Sequence, residues 1–310
     1  MSNNTENIYA LYTEEQIETI HMGDMFTMFY ALLGQALIDG MGIEGESVLR
    51  EATRRYGRDR GEGRRKKQLD ANVKINMKSL FSIGSDLPAD PRFKGEALKL
   101  TDEERNHRTL RCPMAELWIK EGYQRVGRIY CEEFHPACYG AYAFGYTKVG
   151  LSRTLTQHGD GCCSFNIILR AANLPKELKP VCFKEYDPYY TGQAYDIPRA
   201  NGKDGFSAMC VKIYYYIKEV LFERFGNDES SLAPLKKALH AFAVYCAGEL
   251  EQYSAAMQRK LDNSFIDNHS PLSYSIEKRP VWRQYSKYGG IELIESEFYA
   301  RFNGLIKALV

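Results

Sequence analysis

Along most of the chain, apolar residues recur every three or four positions, a pattern that predicts amphipathic helices. The segment from 13 to 38 opens with Thr13-x-x-Gln16, which has the spacing of a capping box at a helix N-terminus, and glycines at 40, 42 and 45 are expected to end it. A second helix is predicted from near Ser47 through a basic run that extends to Lys67. Two interpretations of that run stay open, a solvated helix face or a rim that attracts carboxylates.

The middle of the chain predicts further helices. Thr101-x-x-Glu104 again has the capping-box spacing and predicts the start of a short helix. Proline is favoured at the first position of a helix, so a helix is predicted from Pro113. The next apolar pattern predicts a helix that carries Cys131 and His135 on one face and ends at Pro136.

Between residues 148 and 169 the pattern changes to alternation of apolar and polar positions, which predicts a β-hairpin. Cys163, Phe165 and Ile167 share one face of its second strand, and Asp160-Gly161 is a favoured pair for the turn. The whole pattern therefore predicts an α+β fold that is mostly helical, with a small antiparallel sheet around this hairpin and a helical C-terminal extension. We expect a core over 1–172, an irregular connector over 173–205 and a helical unit over 206–310.

Composition narrows the classes of function. Lys+Arg 41 and Asp+Glu 40 leave a formal net charge of +1, so no overall field favours nucleic acid. The N-terminus is polar and acidic, and charges interrupt the apolar stretch from 206 to 225, so we expect neither a signal peptide nor a membrane span. The expected location is the cytoplasm and the expected partner is a small-molecule substrate. The sequence leaves a homo-oligomer open.

Five of the eight cysteines lie between Cys112 and Cys163, and this clustering is the first indication of chemistry. In a reducing compartment such thiols are buried, bind metal or react. Cys163 alternates with apolar residues, so a buried hydrophobe, a nucleophile and a metal ligand all stay open for it. Cys112, Cys131, Cys163 and His135 would together supply enough ligands for zinc or another divalent metal, although no Cys-x-x-Cys pair is present.

Three short motifs carry a resemblance to a known family: Cys112-Pro113, Tyr130-Cys131-Glu132, and Gly159-Asp160-x-x-Cys163-x-Phe165. In this order and at this spacing they are similar to the 2-aminothiazoline-4-carboxylate hydrolase family, over about residues 20–170. The resemblance implies hydrolytic opening of a cyclic C=N or amidine-type bond in a small heterocycle that bears a carboxylate. The departures are Phe134-His135-Pro136 after the second motif and a C-terminal extension that the family core lacks.

The implied reaction needs a nucleophile, an acid or base, and a cation for the substrate carboxylate. Under the resemblance, the expected catalytic residues are Cys163, Asp160, His158 and Glu132. The expected substrate-binding residues are Arg153, Arg58, Cys112 and Cys131. No cofactor follows with certainty from this chemistry, and zinc or another divalent metal stays open.

A second resemblance leaves an alternative function open. The Gly-Asp-x-x-Cys-x-Phe segment is also similar to small-molecule-binding domains related to vinyl reductases, in which cysteines bind zinc. The alternative is therefore a ligand sensor or structural domain with a zinc ion held by Cys112, Cys131, Cys163 and His135.

Overall fold

The computed structural model of the protein describes residues 8–192, 196–226, 228–274, 280–285 and 290–309. Contacts divide the chain into two compact units, each built from separate stretches of sequence. The first unit comprises Met1–Gly45, Pro88–Pro91 and Asn201–Val310, and the second comprises Glu46–Leu87 and Arg92–Ala200. Composition suggests borders at 172 and 205 instead, whereas the contacts group the N-terminal helix with the C-terminal helices.

The first unit is helical. It contains α1 (Ile8–Leu11), the part of α2 (Glu14–Asp70) up to Gly45, α7 (Gly202–Phe225), α8 (Glu229–Ala256), α9 (Asn263–His269), α10 (Pro280–Gln284), α11 (Gly290–Leu293), a π-helical segment (Ile294–Tyr299) and α12 (Ala300–Leu309). The capping box at the start of α2 is present, because the Gln16 N–H donates to Thr13 Oγ1 at 3.3 Å and the Thr13 N–H donates to Gln16 Oε1 at 3.0 Å. The predicted break is also present, since Gly42 leaves helical geometry with φ 59°.

One stretch of α2 is long and apolar enough to cross a membrane, judged by length and composition alone. Of that stretch 61% is buried inside the protein, and a buried core helix passes the same test.

The second unit combines helices with one sheet. Its elements are the part of α2 after Gly45, α3 (Met77–Ser82), β1 (Lys94–Leu100), β2 (Glu104–Arg111), α4 (Pro113–Lys120), α5 (Gln124–Tyr142), β3 (Lys148–Arg153), β4 (Cys163–Ile168), a 3₁₀ turn (Ala171–Asn173), α6 (Lys179–Cys182) and a second 3₁₀ turn (Lys184–Tyr186). The four strands form an antiparallel sheet in the order β1-β2-β4-β3. The expected α+β class is therefore confirmed, and the 148–169 hairpin is present as β3 and β4.

Register places a set of polar β2 side chains on the buried face of this sheet. Thr109 pairs with Cys163, His107 with Phe165, and Arg105 with Ile167. Directly paired residues of antiparallel strands point to the same side, and Cys163, Phe165 and Ile167 are all buried. The polar β2 residues consequently face the interior of the unit.

Two sequence-based expectations are wrong in this unit. Thr101 and Glu104 do not begin a helix but form the turn between β1 and β2, where the Glu104 N–H donates to Thr101 Oγ1 at 3.0 Å. A helix N-cap makes the same hydrogen bond three residues along, so the motif alone does not separate the two structures. In addition, α5 does not end at Pro136 but runs on to Tyr142, with this proline on its exposed side.

Two glycines of α2 allow it to approach α5 closely. A Cβ on Gly61 would lie 2.1 Å from the carbonyl oxygen of Cys138, and a Cβ on Gly57 would lie 2.9 Å from that of Phe134. These distances are shorter than any ordinary van der Waals contact, so only glycine fits at the first position without movement of the backbone. The interhelical packing of α2 and α5 therefore depends on these two positions.

We expect Gly61→Ala to lower the free energy of unfolding by roughly 1–3 kcal/mol, because the added methyl group has no space against α5. Gly63→Ala is the matched control, since a Cβ at this helical position meets nothing within 4 Å. The control should be more stable than the parent by roughly 0.5–1 kcal/mol, the gain expected for alanine over glycine in a helix. Urea unfolding of both variants measures the difference, and equal stability of the two would contradict the packing described above.

Candidate functional site

The second unit contains a partly open cavity of about 320 Å³ between the sheet and the helices α2, α4 and α5. Its lining residues include Arg60 and Arg64 from α2, Arg105 and His107 from β2, Cys112, Met114, Ala115 and Trp118 from the start and body of α4, Tyr130, Cys131, Phe134, His135, Cys138 and Tyr139 from α5, and Cys163 and Phe165 from β4. Among the described lining residues Asp86 is the one acidic side chain. Four arginines line the same cavity, namely Arg60, Arg64, Arg105 and Arg199. The cavity is therefore suited to an anionic small molecule.

Arg60 enters the cavity from α2 and is held in place by its neighbours. Its Nε donates to Asp86 Oδ2 at 2.5 Å, its Nη1 donates to the Tyr56 hydroxyl at 2.9 Å, and its guanidinium lies 5.0 Å from the centre of the Phe134 ring. Burial acts against the charge, but the Asp86 carboxylate and Tyr56 outweigh it and raise the pKa of Arg60 well above its usual value. This arginine is fixed and already has an acidic partner.

Arg64 and Arg105 form no salt bridge with a carboxylate among the described residues, although the Asp86 carboxylate also acts on the charge of Arg64. Arg64 donates to the carbonyl oxygens of Ile83 and Gly84, and Arg105 stacks over Phe81 with its Cζ 3.7 Å from the ring centre. Within the described part of the chain neither side chain has a salt bridge to a carboxylate. Burial lowers the pKa of both groups, although an arginine remains charged at neutral pH. Their charge is thus available to a bound anion.

Two imidazoles line the cavity, and both are neutral at pH 7. Burial, followed by the charges of Arg60 and Arg105, lowers the pKa of His135 to about 4. Burial and Arg105 likewise lower the pKa of His107 to about 4. The Nδ1 atom of each ring is buried, and no residue that the structure describes hydrogen-bonds to it. A neutral imidazole that faces a cavity can accept a proton, as a general base requires.

Three thiols form another part of the cavity wall, away from Arg105. Cys131 lies on α5, Cys163 on β4, and Cys112 immediately before α4. Burial is the largest influence on each: it raises the pKa of Cys112 to about 12 and the pKa values of Cys131 and Cys163 above their usual range. The Cys163 sulfur accepts a hydrogen bond from the Leu155 N–H at 3.3 Å. All three are protonated at neutral pH, which is typical of thiols in apolar surroundings.

The arginines and the thiols lie at different ends of the cavity. On α5, Tyr139 follows Cys131 by eight residues, or about 12 Å of helical rise. On the sheet, Thr109 pairs with Cys163. Arg105 lies four residues before Thr109, which is about 13 Å along the strand. The Arg105 guanidinium stacks on Phe81, and the Phe81 ring contacts Tyr139 with ring centres 5.3 Å apart, so it belongs to the far end. We call the two ends the arginine end (Arg64, Arg105) and the thiol end (Cys112, Cys131, Cys163).

The structure brings four of the sequence-predicted residues together at this cavity, namely Cys112, Cys131, Cys163 and His135. The other predicted site residues do not line it. His158 is exposed, and Asp160 accepts a hydrogen bond from the Thr154 N–H at 3.0 Å within the β3–β4 connection. Arg153 is exposed at the end of β3, next to a separate surface groove.

Glu132 and Arg58 lie on the surface side of their helices. Burial would raise the pKa of Glu132, but hydrogen bonds from Arg128 at 2.6 Å and Arg50 at 3.0 Å outweigh it and lower the pKa. This shift is opposite to the raised pKa expected for a buried general base. Arg58 is exposed and forms a salt bridge with Glu51 at 3.3 Å.

Sequence reasoning missed the residues that give the cavity its charge. Arg60 and Arg64 belong to the basic run of α2, and both interpretations of that run treated it as a single surface feature. Their four-residue spacing, shared with Tyr56, places them on one inward face. Arg105 and His107 were missed because β2 was read as the start of a helix, so the alternation that points them inward was not applied.

The alternative function requires a zinc ion held by Cys112, Cys131, Cys163 and His135. Among the described residues, no three histidine, cysteine, aspartate or glutamate side chains are placed so that they could hold one metal ion. Cys112, Cys131, Cys163 and His135 all line the one cavity. Zinc binding by this set stays a prediction.

The fold is of the α+β class, and the charged side chains that line its cavity are mostly arginines. The comparison with protein families is more specific, because residues 22–167, or 146 of the 310, match the family described as L-2-amino-thiazoline-4-carboxylic acid hydrolase. This match confirms the resemblance found in the sequence and supports a hydrolase. Comparison with curated proteins and with solved structures gives no match.

Proposed function

We propose that the protein hydrolyses a carbon–nitrogen bond of a small, cyclic C=N or amidine-type substrate that carries a carboxylate, similar to a thiazoline carboxylate. One observation carries this proposal: a neutral imidazole, that of His135, whose Nδ1 has no hydrogen-bond partner among the described residues, lies in a cavity beside arginine side chains that form no salt bridge with a carboxylate there. The family match, whose description names such a substrate, supports the same reaction class.

The carboxylate of the substrate would bind at the arginine end. Arg105 and Arg64 offer planar, charged donors that match the geometry of a carboxylate. The rings of His135 and Tyr139 are 5.6 Å apart, and Tyr139 contacts the Phe81 ring over which Arg105 stacks. A ring whose carboxylate contacts Arg105 would therefore extend towards His135.

His135 would act as the general base. Water adds to the carbon of the C=N bond, and one of its protons passes to the His135 imidazole. The protonated imidazole returns that proton to the ring nitrogen as the carbon–nitrogen bond breaks. The second proton of the water also ends on this nitrogen, so that a C=O group and an amine replace the C=N bond.

Binding of the carboxylate would strengthen this base. In the free protein the charge of Arg105 is one cause of the low pKa of His135. A carboxylate on Arg105 neutralises that charge and raises the proton affinity of His135 when the substrate is in place. The arrangement couples substrate recognition to the chemical step.

Cys163 is the sequence-predicted nucleophile, and a thiol needs a base to become reactive. Among the described residues, no imidazole is hydrogen-bonded to the Cys163 sulfur, which accepts a hydrogen bond from the Leu155 N–H. Water activated by His135 is the simpler route in this cavity, and Cys163 then contributes to the wall of the thiol end.

Substitution of the two candidates separates these routes. His135→Gln keeps a polar side chain of similar size but removes the base, so we expect kcat for 2-aminothiazoline-4-carboxylate to fall by roughly 10²–10⁴-fold. Cys163→Ser and Cys163→Ala should each retain kcat within about tenfold if the thiol is part of the wall. Loss of turnover by orders of magnitude in both folded Cys163 variants, with His135→Gln active, would instead assign the nucleophile to Cys163.

The carboxylate site is tested on neighbouring residues of one strand. Arg105→Met should raise KM for the carboxylate substrate by roughly 10–100-fold, since a charge-assisted hydrogen bond is worth about 1.5–3 kcal/mol. Arg108→Met is the matched control, because Arg108 lies on the exposed side of β2 beside Glu96 at 3.7 Å. An unchanged KM in a folded Arg105→Met protein would exclude Arg105 from carboxylate binding.

A further inference from the structure

The thiol end of the cavity is larger than the proposed reaction needs. A five-membered ring with a carboxylate spans roughly 6 Å at ordinary bond lengths. The lining residues at the two ends are separated by about 12 Å of backbone along α5 and by about 13 Å along the sheet. With its carboxylate at Arg105, the bare ring reaches His135 and leaves the thiol end empty.

The walls of the thiol end show which chemistry would fill it. Besides its three cysteines it is lined by Met114, Ala115 and Trp118 from α4. Trp118 packs against Tyr130, with ring centres 5.5 Å apart, and both rings line the cavity together with Cys131. These side chains are apolar or weakly polar, and sulfur atoms contact aromatic rings favourably. An apolar group, and an aromatic ring above all, would be stabilised there by removal from water.

From this geometry we infer that the substrate carries an apolar substituent, roughly four or five atoms long, on the ring carbon opposite its carboxylate. The substituent occupies the thiol end, the scissile bond lies at His135 and the carboxylate lies at Arg105. The volume of about 320 Å³ lies at the lower end of the range of small-molecule pockets, about 300–1,000 Å³, so the substituent must be short. This inference rests on the proposed function, since it assumes that the carboxylate binds at the arginine end.

The experiment compares the binding of two stable aromatic analogues, thiazole-4-carboxylate and 2-phenylthiazole-4-carboxylate, by titration calorimetry. We expect the phenyl compound to bind the unmodified protein at least tenfold more tightly. In Cys112→Met the longer side chain fills the thiol end, and the ratio of the two affinities should fall to about one. Met114→Ala enlarges the same end, so the phenyl compound should still bind at least tenfold more tightly than the unsubstituted one. This second variant keeps the test valid if Cys112→Met does not fold.

Arg105→Met and Arg108→Met separate the two claims. Arg105→Met should weaken both compounds by a similar factor and keep their ratio, whereas Arg108→Met should change neither affinity. Equal affinity of the two compounds for the unmodified protein, with a loss of both in Arg105→Met, would overturn the substituent site and leave the carboxylate site standing. Tight binding of the phenyl compound that Arg105→Met does not weaken would instead contradict the proposed function. Failure of both compounds to bind would overturn both claims.

Discussion

The close packing of α2 on α5 is the constraint on which the cavity depends. Gly57 and Gly61 let the two helix backbones approach to a distance that no side chain would permit. Arg60 lies between these glycines in sequence and Arg64 one turn further on, so the same packing carries both guanidinium groups into the unit. On the opposite helix, the residues that contact the glycines flank His135. One contact between two helices thereby sets the spacing of the base and its cationic neighbours.

The cavity also shows what such an arrangement costs. Buried guanidinium groups without carboxylate partners destabilise the folded protein, because their desolvation is only partly offset by carbonyl oxygens and aromatic faces. Sites of this kind are found where a ligand completes the charge balance. In this protein Asp86 neutralises Arg60, while Arg64 and Arg105 have no equivalent among the described residues. A carboxylate on the ligand would supply the negative charge that balances these arginines.

Local signals in the sequence were sufficient where the structure is local. Thr13 and Gln16 form the reciprocal capping box that their spacing predicts, and the alternation from 148 to 169 is present as β3 and β4. The same spacing at Thr101 and Glu104 is misleading, because one hydrogen bond serves both a helix start and a β-turn. The local pattern does not distinguish a helix start from a β-turn, because the pairing of the neighbouring strands decides between them.

The candidate site was harder to predict because its residues meet through tertiary packing. The placement of Cys131 and His135 on one face of a helix follows from their spacing, and both line the cavity. The four-residue spacing from Tyr56 puts Arg60 on the inward face of the helix and Arg58 off it, but the basic run as a whole is typical of a surface and masks this difference. The glycines at 57 and 61 decide this, and their role requires knowledge of the helix against which they pack.

The coupling between the carboxylate and the base is the central claim, and the titration of His135 tests it most directly. The pKa of this imidazole can be followed by NMR in the free protein and with saturating thiazole-4-carboxylate, with the His135→Gln variant used to assign its signal. Our account predicts a pKa of about 4 in the free protein and a clearly higher value in the complex, because the ligand neutralises Arg105. An unperturbed pKa near 6.5 in the free protein, or no change on binding of the carboxylate, would contradict it.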